Sequence, residues 1–455
     1  MAATRPNFLF LMVDEERYPP VYESPAEAAW RRQNLVVQEC LRDHGVEFQR
    51  HYAGSAACAP SRTTLFTGQY PSLHGVSQTD GAAKSAFDAD IVVPGTQDQF
   101  PSYISVTGIP DAQATRLYLA ANRLNGYAFE GWVGPEPHGS SPRNSGSSAA
   151  VGLSGRDVVY ADEAVRLLEQ LGSETVEETR EPWLLVCSLV NPHDIVLFGA
   201  ITRQAPQFSF PVDESVPPVP PAPTAHESLL TKPRAQRSYR ETYGEAFQPL
   251  PDTEYYRRLY LQLQHNSDQN LPRVFRALQE SPSYQDTIVV FTSDHGDLQG
   301  SHGGLFQNSL TSHVDVLPTL LGLAGADVRE TERILSRDHT EIRRFVGRDL
   351  SPLLLGLQSG MQCEGFREEP ILFTTDDDAQ YSGDRVPVPD QHELYHLSSD
   401  PIEAVNLADP RNRTAESAQV QREMMHLLAG QCAQKLLVPG TDRVPRTRDA
   451  ARDSR

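Results

Sequence analysis

The chain has 455 residues, 39% of them hydrophobic, and a formal net charge of -20 at pH 7. This length exceeds one ordinary core, so we expect a large domain and a smaller one. The negative charge argues against a nucleic-acid partner, because phosphate binding requires a basic surface. No apolar run approaches the roughly 20 residues of a membrane-spanning helix, so we expect no membrane partner.

The cysteines and the first apolar run bear on the compartment. Cysteines occur at positions 40, 58, 187, 363 and 432, an odd number without tight spacing, which suits a reducing compartment. The apolar run 8–13 is short, ends in acidic residues and lacks a small-residue cleavage site, so it does not resemble a secretory signal. We therefore expect a cytoplasmic location.

Three apolar runs of strand length end in acidic or histidine residues. Residues 7–13 precede Asp14 and Glu15, 183–190 precede the sequence Asn-Pro-His-Asp at 191–194, and 287–292 precede Asp294 and His295. Helical patterns occupy 156–171 and 254–271 between them, with Pro272 expected to kink or end the second helix. This alternation predicts an α/β fold with a mainly parallel sheet flanked by helices, whose site lies beyond the carboxyl ends of the strands.

Other segments have weaker patterns. We expect a helix at 28–44, strand-like structure at 46–50, a loop at 135–148 and a helix at 314–321. The proline-dense segment 216–223 is predicted to be extended and exposed. We predict a catalytic domain over 1–330, a smaller C-terminal α+β subdomain over 331–440 and a disordered, arginine-rich tail over 441–455.

The segment from Cys58 to Gly68 combines Cys, Pro, Ser and Arg with a helical composition that stops at glycine. This order predicts a loop that delivers one thiol to a helix N-terminus, where backbone N–H groups favour anions such as sulfate or phosphate. A buried structural cysteine beside a helix cap explains neither Pro60 nor Arg62. The segment is therefore a candidate anion site.

Asp14, Glu15, Asp294 and His295 are candidate metal ligands. Carboxylate oxygens suit Ca²⁺ or Mg²⁺, and one imidazole also admits Mn²⁺ or Zn²⁺. Acidic residues at strand ends also serve as simple caps, so these four residues alone leave both interpretations open.

Five motifs, in one chain order, resemble the sulfatases, which belong to the alkaline-phosphatase-like superfamily. The resemblance covers most of the chain, with gaps. The motifs are Pro6–Asp14 as first strand and metal aspartate, Cys58–Gly68 as signature, Asn191–His193 as Pro-His strand end, Ser293–Gly296 as second metal pair, and Glu393–Leu397 with Asp400, Pro401, Glu403, Asn406 and Leu407 as closing motif.

The resemblance implies a function and roles for individual residues. A maturation enzyme oxidises Cys58 to formylglycine, whose hydrate attacks the sulfur of a small-molecule sulfate ester. Cys58 in this form joins Asp14, Glu15, Asp294 and His295 around the metal. Arg62 holds the diol and the sulfate oxygens, and His193 assists the leaving oxygen.

The chain departs from the sulfatase pattern in its lysines. Lysine occurs only at positions 84, 232 and 435, and the two active-site lysine segments of the sulfatases have no counterpart in the stretches from Asp88 to Tyr103 and from His302 to Asp315. Three interpretations remain: a sulfatase that also accepts phosphate or phosphonate monoesters, a silent relative that retains metal or anion binding, and a truncated or mis-spliced product. The leaving alcohol and the oligomeric state stay open.

Overall fold

The computed structural model describes residues 5–76, 113, 116, 120, 155–173, 181–198, 211–234, 236–238, 240–241, 253–297, 310–338, 342–358, 369–374 and 392–437. The predicted loop at 135–148 and the predicted tail at 441–455 lie outside these residues. The strands are β1 Asn7–Asp14, β2 His51–Tyr52, β3 Leu184–Pro192, β4 Thr287–Ser293 and β5 Thr311–Ser312. The helices are α1 Pro25–Asn34, α2 Val36–His44, α3 Cys58–Thr67, α4 Pro71–His74, α5 Gly155–Ser173, α6 Thr253–Asp268, α7 Leu271–Glu280, α8 Val316–Leu323, α9 Val328–Asp338, α10 Ser351–Gln358 and α11 Ala415–Lys435.

The chain packs as two units, which we describe separately. The strand unit comprises Pro6–Gly45 and Val92–Gly304, and the Cys58 unit comprises Met1–Arg5, Val46–Ile91 and Leu305–Arg455. The domain boundaries predicted at residues 330 and 440 stay a prediction.

The strand unit contains a parallel sheet of order β3-β1-β4, with β1 at its centre. All eight residues of β1 are buried, as expected of a strand covered on both faces. Leu9, Leu11 and Val13 pack with apolar residues of α5 and α7, so helices cover this side of the sheet. The predicted α/β class with a parallel sheet flanked by helices is confirmed, and so are the three predicted strands.

Two helix predictions needed correction. The predicted helix 28–44 is interrupted at Leu35, where α1 ends and α2 begins. The predicted helix 254–271 ends at Asp268, and Pro272 lies in the first turn of the next helix, α7, where the missing N–H costs nothing.

Two other local predictions were wrong. Residues 46–50 form no strand, and the strand that follows is the two-residue β2. The proline-dense segment 216–223 is irregular but partly buried: Val216 is 1% exposed, Val219 6% and Ala222 6%. Val216 and Val219 pack with Trp30 and Leu261, because the residues between the prolines are apolar and find a core to enter.

The Cys58 unit holds the signature segment. The helix α3 begins at Cys58 and ends at Thr67, and its C-cap residue Gly68 adopts the left-handed conformation with φ 62° and donates its N–H to Thr64 O. The predicted stop at glycine is therefore confirmed. The helix predicted at 314–321 is present as a turn of 3₁₀ helix at His313–Asp315 followed by α8.

Within the described residues, no helix has the length and apolar character required to cross a membrane.

Candidate functional site

Four ligand-type residues of the strand unit lie at or just beyond the carboxyl ends of β1 and β4. Asp14 and Asp294 are completely buried, and Glu15 is 9% exposed. His295 Nε2 lies 3.7 Å from Asp14 Oδ1 and 3.9 Å from Asp294 Oδ1. The parallel arrangement of β1 and β4 explains this meeting, because both strands end at the same edge of the sheet.

Asp294 also fixes the backbone of both strand ends. Its Oδ1 accepts hydrogen bonds from Glu15 N at 3.0 Å and from His295 N at 2.8 Å. Ser293 adds a second link, since its Oγ accepts from Glu16 N and donates to His295 O. The ligand residues are thus held by directed bonds between the two turns.

Two tyrosines of α6 hold these turns from one side. The Tyr260 hydroxyl donates to Glu15 O at 2.6 Å and accepts from Arg17 N at 2.8 Å. The Tyr256 hydroxyl donates to Asp297 Oδ2 at 2.5 Å. Neither tyrosine can be recognised as part of the site from the sequence, because the helix pattern does not distinguish these two residues from core aromatics.

A glycine is required where these turns approach each other. A Cβ atom at Gly296 would lie 2.5 Å from Arg17 Cβ and 2.8 Å from Arg17 Cα. Such distances are shorter than real Cβ contacts, so only glycine fits here without moving the turn after β1. This explains physically why glycine follows the Asp-His pair in the motif.

His193 comes from the third strand of the sheet. It follows β3 directly after the cis Asn191–Pro192 peptide bond and is 8% exposed. Ligand atoms of Asp14, Glu15 and His193 all lie within 4.8 Å of one another. A catalytic role is predicted for His193 from the sequence, and the structure places its ring beside two of the predicted metal ligands.

The electrostatic surroundings of Glu15 favour a cation. Burial, followed by the nearby Asp297, Asp14 and Asp294, raises the pKa of Glu15 well above its ordinary value. The three charged neighbours that raise this pKa are themselves carboxylates. Buried carboxylates need a compensating positive charge, and hard oxygen donors with an imidazole match a divalent cation. The residues present therefore fit a metal ion.

Cys58 and Arg62 lie in the Cys58 unit. Cys58 is the first residue of α3, and its N-cap residue is Ala57. Arg62 is four residues further on, hence on the same face of the helix as Cys58. The first-turn N–H groups, aligned along the helix axis, and the guanidinium give this end of α3 the character of an anion site.

Two buried imidazoles, His313 and His74, contact α3 within its unit, and the half-buried ring of His51 lies against that of His313. His313 Nδ1 lies 3.0 Å from Ser61 Oγ and 3.4 Å from Gly54 N. Burial lowers the pKa of His51 and of His74 to about 4, so both are neutral near pH 7. His51 and His74 therefore add no positive charge to the surroundings of the helix near pH 7.

The structure describes two of the three lysines. Lys84 lies outside the described residues, Lys232 is 7% exposed in the strand unit, and Lys435 donates to Pro370 O at 3.4 Å in the Cys58 unit.

In the closing motif, Asn406 Oδ1 accepts from Leu394 N, and Leu407 N donates to Leu394 O. That motif is thus a hydrogen-bonded turn of the Cys58 unit.

Comparison with known proteins agrees with this arrangement. The Sulfatase family model matches residues 6–309, which is more than half of the chain. The choline-sulfatase of Rhizobium meliloti (strain 1021) is 25% identical over 90% of this chain and 83% of its own length. The iduronate 2-sulfatase of Mus musculus is 23% identical over 70% of this chain and 59% of its own.

Solved structures show the same fold. A 2-O glycosaminoglycan sulfatase matches with a TM-score of 0.56 and 17% identity over 95% of this chain and 92% of that one. The phosphonate monoester hydrolase of Silicibacter pomeroyi matches with a TM-score of 0.57 and 17% identity over 97% of this chain and 99% of that one. With the family model covering the strand ends at Asp14 and Asp294 and the Cys58 signature, the chain belongs to the sulfatase family.

Proposed function

We propose that this protein hydrolyses sulfate esters with a formylglycine made from Cys58 and a divalent cation, Ca²⁺ in the first instance, with Mg²⁺ or Mn²⁺ as alternatives. The observation that carries the proposal is the buried set of Asp14, Glu15, Asp294 and His295 at the ends of β1 and β4. Membership of the sulfatase family and the intact signature at the start of α3 support it.

Each residue has a distinct task in the proposed reaction. Asp14, Glu15, Asp294 and His295 would hold the cation, which would supply Lewis-acid stabilisation of negative charge on the sulfate. The hydrated side chain at position 58 attacks sulfur, and the bond from sulfur to the ester oxygen breaks. Loss of the second hydroxyl proton then re-forms the aldehyde and releases sulfate.

Arg62 and His193 act on the two ends of the ester. Arg62 donates charge-assisted hydrogen bonds to sulfate oxygens, which is the interaction that its face of α3 favours. His193 donates a proton to the departing ester oxygen, so the alcohol leaves neutral. A formylglycine-generating enzyme is the maturation partner that this proposal requires, and the substrate is a small-molecule sulfate ester.

The missing lysines favour a second possibility, a relative that binds metal without turnover. Electrostatic donors of this kind are worth roughly 10²- to 10³-fold in rate each, so two absent lysines are a large loss. Turnover decides between the two. The protein is produced with the maturation enzyme and assayed on an aryl sulfate with added Ca²⁺.

The proposed function predicts hydrolysis that Cys58→Ser abolishes and that Cys40→Ser, at an exposed cysteine of the strand unit, leaves unchanged. Absence of hydrolysis by the mature protein would rule out the enzyme and leave the silent relative. An aryl phosphonate in the same assay measures the relative preference for phosphonate monoesters.

The metal site has a separate test that needs no turnover. Asp14→Ala and Asp294→Ala should each abolish bound Ca²⁺, measured by elemental analysis after dialysis, because each removes a buried ligand carboxylate. Asp162→Ala is the matched control, since this aspartate lies on α5 with its side chain 57% exposed. Unchanged metal content in both site variants would refute the ligand assignment.

A further inference from the structure

Asp157 is a buried carboxylate that none of the assigned site roles uses. It lies in the first turn of α5 and is 1% exposed. Its Oδ1 accepts a hydrogen bond from Val190 N at 2.5 Å, and its Oδ2 accepts from Asn191 N at 3.1 Å. Both carboxylate oxygens are therefore directed at the last residues of β3.

The backbone that Asp157 contacts is irregular. In the pairing of β1 with β3, Met12 faces Ser188 but Asp14 faces Pro192. Continued regular pairing would set Asp14 opposite Val190, so β3 carries two extra residues at this point. The irregularity takes this stretch out of the regular ladder, and Asp157 supplies acceptors for two of its N–H groups.

The irregularity also decides which residue reaches the site. Because Pro192 faces Asp14, the next residue, His193, comes beside Asp14 and Glu15. Without the two extra residues, the histidine would lie further beyond the strand end. The position of His193 thus depends on the part of β3 that Asp157 holds.

We propose that Asp157 is a positioning residue for His193. The placement of His193 is inferred from the contacts of β3, whereas its role as proton donor rests on the proposed function. An acidic residue in a first helical turn is also favoured by the helix dipole, but that effect requires no directed bonds to another element. Asp162, on the same helix, offers the comparison: it is exposed and pairs with Arg273.

The first experiment measures the placement of His193 without any turnover. Diethyl pyrocarbonate acylates accessible imidazoles, and peptide mass spectrometry reads the rate at His193 and at His265 of the same unit. In Asp157→Ala we expect His193 to react about tenfold faster. Without the one or two hydrogen bonds that Asp157 makes, the end of β3 opens more often, and each opening exposes the imidazole. His265 should be unchanged, and Asp162→Ala should match the wild type at both positions.

The milder Asp157→Asn variant keeps one acceptor oxygen and covers the case in which the alanine variant folds poorly. It should accelerate labelling of His193 less than alanine does. An unchanged His193 rate in both variants would overturn the proposal. An equal acceleration at His265 would overturn it too, because the effect would then be a general loosening of the unit.

The second experiment separates positioning from general stability by chemistry. Aryl sulfates of graded leaving-group acidity are compared in the wild type, Asp157→Asn and Asp162→Asn. If Asp157 positions the proton donor, Asp157→Asn should slow esters of weakly acidic phenols at least about tenfold more than the 4-nitrophenyl ester, which needs little protonation.

Equal slowing of all esters would contradict a role through His193. Wild-type protein without turnover on any ester would contradict the proposed function instead, and the labelling result would then decide on Asp157.

Discussion

Asp268 is a single carboxylate whose burial has a measurable consequence. Its two oxygens accept from Val37 N and Gln38 N, each at 3.2 Å, and so cap the start of α2 from another helix. Burial raises the pKa of Asp268 to about 6, although these two hydrogen bonds oppose the shift. The folded chain therefore holds the proton of Asp268 to a higher pH than the unfolded chain does. The contribution of the protonated Asp268 to the free energy of unfolding is full below about pH 4 and is lost as the pH rises through about 6.

Asp268→Asn tests this residue-scale account through the pH dependence of stability. Asparagine keeps one acceptor for the helix start but cannot ionise, so the variant should be less stable than the wild type at pH 5. Its deficit should narrow by about 1 kcal/mol between pH 5 and 7.5, because only the wild type loses stability there. Denaturant unfolding at the two pH values measures this, with Asp162→Asn as control. A deficit that stays constant or widens would contradict the pKa direction.

At the scale of elements, the proline-dense segment 216–223 is part of the core of the strand unit. Its hydrogen bonds agree with its packing: Arg257 Nε donates to Val219 O, and Arg258 Nη2 donates to Val216 O. Arginines of α6 therefore satisfy two carbonyl groups of this irregular segment. The proline content predicted the absence of regular structure. It did not predict that the valines between the prolines would be buried against other apolar residues.

Val219→Ala tests whether this segment contributes to stability. Removing two buried methyl groups beside Trp30 and Leu261 should lower the free energy of unfolding by roughly 1–3 kcal/mol. Val36→Ala, at a position 59% exposed, should change it by less than about 0.5 kcal/mol. Denaturant unfolding of the two variants gives the comparison, and equal small effects would mean that the segment behaves as an exposed linker after all.

At the scale of the whole molecule, the parts predicted well from sequence are those in which local pattern decides structure. The apolar runs ending at Asp14 and Asp294 gave the strands and their shared edge, and the glycine at 68 gave the end of α3. Parallel pairing then brings the ligand residues together, as the general rule for α/β sheets requires.

What could not be predicted depends on contacts distant in sequence. The two extra residues of β3, which bring His193 to Asp14, become visible only when β3 is paired with β1. The hydrogen bond from the Tyr260 hydroxyl to Glu15 O joins positions separated by 245 residues, and nothing in the local sequence distinguishes that tyrosine from a core aromatic. Glu15 was predicted as a metal ligand, but its position among other carboxylates can be seen only in the folded structure.

The central claim is that Cys58 becomes the nucleophile of a metal-dependent sulfatase. The most direct test is the mass of the tryptic peptide 51–62, which contains no other cysteine, measured on the preparations used for the aryl sulfate assay with Ca²⁺. We predict an aldehyde at position 58 and a hydrolysis rate that rises in proportion to its fraction across preparations made with increasing maturation enzyme. Hydrolysis that is independent of this fraction, or a fully converted protein without hydrolysis, would contradict the claim.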